Sequence, residues 1–84
     1  MARFIIRFYG TDNVQCKEMV VIGRKLTKKE VIQMEGRYRP GEELYYIPKK
    51  NEFSIRWVVR YNGILDFASY GAAPKYHCHK IVEA

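Results

Sequence analysis

The amino-acid sequence predicts an α+β domain: one strongly twisted, mostly antiparallel β-sheet, partly closed into a barrel, covered on one face by a single short helix, in the order β-β-α-β-β-β-β. Three observations predict it. Residues 3 to 9 alternate in period two, with Phe4, Ile6 and Phe8 on one face and Arg3, Ile5, Arg7 and Tyr9 on the other, the pattern of a strand with one buried side. Asn62-Gly63 stands between two β-rich runs, and a type I′ hairpin turn needs both its central residues at positive φ. Only one stretch, opening at Thr27, carries helix-start chemistry. At 84 residues the chain is a single small domain, 1–84.

The elements follow in order. Gly10-Thr11-Asp12-Asn13 gathers four turn formers, so the strand at 3–9 and the run Val14 to Ile22 form an N-terminal hairpin. A four-residue loop would set Gln15 and Lys17 opposite Phe8 and Ile6, and a shift of one would set Cys16 there; a longer loop or a bulge is expected. Thr27-Lys28-Lys29-Glu30 is a capping box, followed by Val31, Ile32 and Met34 and by Gly36 at the C-cap position, which predicts a helix over about 28 to 35. So short a helix needs a sheet to hold it. Arg39-Pro40-Gly41-Glu42 is a type II turn, and strands are predicted at 43–47 and 53–61, separated by Pro48-Lys49-Lys50-Asn51. A two-residue turn at Asn62-Gly63 pairs Tyr61 with Ile64, Val59 with Asp66, Trp57 with Ala68 and Ile55 with Tyr70. The other face then carries Arg56, Val58 and Arg60. Gly71-Ala72-Ala73-Pro74 breaks the chain before a last strand at 75–82.

Composition narrows the function classes. Fifteen Lys and Arg against nine Asp and Glu give a net charge of +6, and 48% of residues are hydrophobic, so the chain folds by itself and its partner is polyanionic or acidic. No window reaches the roughly 18 apolar residues of a membrane span, and Arg3 and Arg7 interrupt the start where an export signal would be unbroken. A soluble, cytoplasmic protein is expected, with Cys16 and Cys78 as reduced thiols. No cofactor is implied.

Two groups of residues could carry chemistry. Arg24, Lys25, Lys28 and Lys29 put four cations in six residues at the helix start. Cations there oppose the helix dipole, so they do not serve stability, and together with unpaired first-turn N–H groups they suit phosphate. Solvated lysines with their stems over the core are the competing reading. The second group joins cations to rings: Arg37-Tyr38-Arg39, the Lys49-Lys50 loop, and Arg56 and Arg60 on one strand face with Phe67 opposite. Arginines four apart on a strand lie about 13 Å apart, a spacing comparable to two nucleotides of extended backbone, and rings beside guanidinium groups suit unpaired bases. His77 and His79 share a strand face but supply at most two ligands, too few for a zinc site.

These features predict a non-catalytic nucleic-acid-binding protein that favours RNA or single strands over duplex DNA, because no recognition helix is present. Tyr38 and Phe67 would stack on bases. Size and charge also fit a phage or mobile-element accessory factor that inhibits a host toxin or nuclease. The alternative is a protein–protein inhibitor or assembly module that docks a basic face on an acidic partner; an open sheet edge also admits a homodimer. A third reading is a small metal-independent endoribonuclease, since size, basicity and the Lys75-Tyr76-His77 segment loosely resemble RelE-type ribonuclease toxins. That family places two helices after its first strand, where this chain has a hairpin and one helix. No catalytic residue is therefore assigned.

Overall fold

Strand β1 (Ala2–Tyr9) sits inside the sheet because Phe4, Ile6 and Phe8 must be covered: all three are essentially inaccessible to solvent. It pairs antiparallel with β2 (Gln15–Lys25) on one side and with β6 (Cys78–Glu83) on the other. The remaining strands are β3 (Glu43–Tyr46), β4 (Ile55–Tyr61) and β5 (Ile64–Ser69), and the helix α1 spans Lys28–Ile32. The order across the sheet is β5-β4-β3-β2-β1-β6, antiparallel throughout. The computed structural model describes residues 1–34, 39–69, 76 and 78–84.

The sheet curls until its two edges, β5 and β6, nearly meet. Side chains bridge this seam: His79 Nε2 lies 3.1 Å from Asp66 Oδ1, the His79 ring lies 4.5 Å from Phe67, and Arg60 on β4 pairs with Glu83 on β6. The interior divides into two ends with an aliphatic middle. At one end Phe8 contacts Phe53, Phe67 and Tyr76 at ring separations of 5.0, 6.0 and 5.1 Å. At the other, Phe4 meets Tyr45 edge-on at 5.0 Å, and beyond them Arg60, Glu43 and Glu83 form a polar plug.

The predicted α+β class, the element order and the single short helix are found. Several details differ. Strand β2 runs three residues beyond Ile22, because after pairing with β1 it turns to a second partner: Arg24 faces Tyr46 and Lys25 faces Tyr45. The first hairpin holds Lys17 opposite Phe8 and Met19 opposite Ile6, with the bulge between Phe8 and Tyr9. The helix stops at Ile32, with Gln33 as its C-cap and the Met34 N–H turning back to Val31 O. Strand β4 begins at Ile55, not Phe53, because Ser54 adopts a φ of 53°. A register shift at Arg56 sets Ile55 opposite Ser69, whereas Tyr61, Val59 and Trp57 face Ile64, Asp66 and Ala68 as predicted. Gly36, Tyr70, the breaker at 71–74, Lys75 and His77 lie outside the described residues.

Candidate functional site

Two of the four cations at the helix start, Arg24 and Lys25, are engaged by acids. The capping box forms: Glu30 N–H donates to Thr27 Oγ1, and Thr27 N–H donates to Glu30 Oε1 at 3.0 Å. Arg24 closes on the same carboxylate with both its terminal nitrogens, at 2.9 and 3.0 Å. The Arg24 hydrogen bonds and the Thr27 N–H hold the Glu30 carboxyl at about 2, against an ordinary 4.5. Lys25 Nζ stands 3.9 Å from Glu43. Lys28 and Lys29 are exposed and form no ion pair with a described residue.

The second group is dispersed. Arg56 occupies the bulge in β4 and donates to the carbonyls of Ile47 and Pro48. Arg60 points inward, where it donates to Glu43 at 3.1 Å and to the Tyr45 hydroxyl at 3.2 Å, besides pairing with Glu83. The Tyr45 hydrogen bond lowers the Glu43 pKa, helped by the nearby Lys25 and Arg60, while burial raises that of Tyr45. Arg56 and Arg60 thus form no row on one face, since the bulge breaks the period of two between them. Phe67 also faces inward, against Phe8 and His79. Lys49 and Lys50 are exposed in the loop after β3. Arg37 and Tyr38 lie outside the described residues. Of Lys75-Tyr76-His77 only Tyr76 is described, and its ring is stacked on Phe8.

The outer face of β3 and β4 carries rings that the sequence reading did not single out. Tyr46 and Trp57 are opposite each other in register, with ring centroids 5.1 Å apart, and Arg24 is the register partner of Tyr46 on its other side. Tyr61 lies further along the same face of β4, and the Arg39 guanidinium stacks 3.8 Å above its ring while donating to Glu42. Two clefts open beside these rings, of about 460 and 380 Å³, and share Arg39, Glu42 and Leu44 as a common wall. The first is rimmed by Lys25 and Lys28 over a floor of Leu26, Val31 and Leu44; the second reaches Trp57 and Val59. The signal for this face was present in the alternation of Trp57, Val59 and Tyr61 against buried Val58. It becomes legible only once Val58 is known to point inward.

Among the described residues, no group of three or more His, Cys, Asp or Glu side chains could hold a metal ion, and no helix is long and apolar enough to cross a membrane. No model of a protein family, no curated protein and no solved structure matches the chain.

Proposed function

We propose that the chain binds RNA or single-stranded nucleic acid without cleaving it, through the outer face of β3 and β4. The observation that carries this reading is the run Tyr46, Trp57 and Tyr61 on one sheet face, with Arg39 stacked on the last ring and clefts beside it. Bases stack on such rings irrespective of sequence, at about 1–3 kcal/mol each. Lys25 and Lys28 at the rim of the first cleft, with Lys29 next to them, supply phosphate contacts on the helix side; Lys49 and Lys50 supply them beyond the end of β3. Arg24 and Arg39 are each held by a glutamate, so their part is to orient and stack more than to add charge. A sheet face that carries rings favours unpaired bases, because the closed edges of a duplex offer a ring no face to stack on.

The chain's single tryptophan lies in this row and reports directly. Titration with a short single-stranded RNA should quench Trp57 emission, and affinity should fall with salt at a log–log slope of about −0.7 for each phosphate contacted. Lys28→Glu with Lys29→Glu should weaken binding at least tenfold while leaving the fold intact. Absence of quenching and of binding at low salt would overturn the reading, and so would shortening of the RNA on incubation.

A further inference from the structure

The opposite side of the barrel carries a surface that the nucleic-acid reading does not use. On the outer face of β2, β1 and β6, Val20, Ile5 and Val82 stand in one register row, because Ile5 pairs with both of the others. Ile22, opposite Arg3, extends the row along β2. Val20, Ile22 and Val82 are 45%, 51% and 41% exposed although the same strands bury Phe4, Ile6 and Val21 on their inner face. Val20, Ile22 and Val82 therefore stand in water around half-buried Ile5, an aliphatic strip where a sheet with one solvated face ordinarily places polar residues.

The border of the strip is basic. Arg7 is flanked in register by Glu18 on β2 and by Lys80 on β6, and Glu18 is its ion-pair partner at 3.0 Å. Arg7 and Lys80 are thus like charges directly across from each other, an arrangement that costs a sheet stability. Arg3, at the other end of the strip, is exposed and has no ion pair with a described residue. Glu18 is the one acid whose side chain belongs to this face among the described residues of the three strands; Glu83, in register with Phe4, turns inward to Arg60.

We propose that this strip is a docking surface for an acidic protein partner, one that presents aliphatic side chains flanked by carboxylates. Arg3 and Lys80, which form no ion pair with a described residue, select the sign of the partner together with Arg7, whose charge Glu18 offsets, and the strip supplies the desolvated centre. A second copy of the chain does not fit. Its border is basic as well, so pairing two copies would bring the Arg3, Arg7 and Lys80 charges of one onto a surface of the same sign. A lipid surface fits less well than a protein, since the short side chains of valine and isoleucine on a sheet face do not protrude enough to insert between headgroups.

The test is selection from a random peptide library on the folded chain, with the Val20→Gln/Val82→Gln double variant, which removes the aliphatic groups without changing the charge, as the counter-target. Both positions are solvent-facing, and thermal unfolding of the variant checks that the fold survives. Peptides that bind the parent at least tenfold better than the variant should be enriched in Asp and Glu next to Ile, Val or Leu. They should shift the NMR signals of Ile5, Val20, Ile22 and Val82 and not those of Tyr46 and Trp57. Enrichment of basic or neutral peptides, recovery of none that distinguishes parent from variant, or equal loss of binding to phosphatidylglycerol vesicles on the same substitutions would overturn the proposal. So would dimerisation of the parent that the double variant abolishes. Because the RNA titration reads the other face, either proposal can fail alone.

Discussion

Gly23 is where one hydrogen atom decides the packing of two strands. It occupies an inward position on β2, and a Cβ added there would stand 2.9 Å from Cβ of Tyr45 and 3.4 Å from the Phe4 ring. Neither neighbour can withdraw, because both are buried and in edge contact with each other. Gly23→Ala should therefore lower stability by about 1–3 kcal/mol in urea unfolding, and Gly23→Val by more. Glu30 makes a different statement. Its carboxyl titrates at about 2, so its contribution to the helix start is complete above its unfolded value near 4.5 and is lost as pH falls from there through 2. NMR titration should find a midpoint near 2 for Glu30 in the parent and a rise towards the ordinary carboxylate value in Arg24→Gln. Asn51 acts as a small piece of strand: its amide exchanges two hydrogen bonds with the backbone of Ile55, each 2.8 Å long, and so closes the loop before β4.

At the scale of elements, legibility followed from whether the signal was local. Thr27 and Glu30 are three residues apart, and their capping box could be read from the chain because every group it needs is within one turn. Thr27→Ala should cost about 1 kcal/mol in thermal or urea unfolding. The turns were legible for the same reason: Gly41 has a φ of 82°, Asn62 of 52° and Gly63 of 75°, conformations that few other residues tolerate. Gly63→Val should destabilise the β4–β5 hairpin and slow its formation, whereas a valine at Ile64, already 70% exposed, should change little. The faces of β4 were not legible. Arg56, Val58 and Arg60 alternate as plausibly outward as inward, and only the position of β4 between β3 and β5 turns Val58 and Arg60 to the interior. The bulge at Arg56 is likewise invisible until β4 is paired with β5, where Ile55 and Trp57, two apart, face the adjacent residues Ser69 and Ala68. The same distance in sequence hid the acids: Glu43 reaches Arg60 from seventeen residues away, so a count of cations along the chain overstated how many are unpaired.

For the whole molecule, Arg60 is the side chain through which the barrel holds its polar end together. It links β4 to β3 through Glu43 and to β6 through Glu83, so its removal takes the shared cation from two carboxylates, of which Glu43 keeps Lys25 at 3.9 Å. Arg60→Met should lower the melting temperature and raise the pKa of Glu43. Adding Glu83→Gln should recover part of the loss, because it removes one of the stranded charges. The seam between β5 and β6 closes by side chains, whereas β6 is joined to β1 by backbone through to its last bond, in which Ala84 N–H donates to Arg3 O at 2.8 Å. The first strand thus takes the last as its neighbour. Synthesis runs from β1 towards β6, so Phe4, Ile6 and Phe8 emerge well before the strand that flanks their far side, and the nascent chain carries its stickiest strand half-dressed until β6 follows.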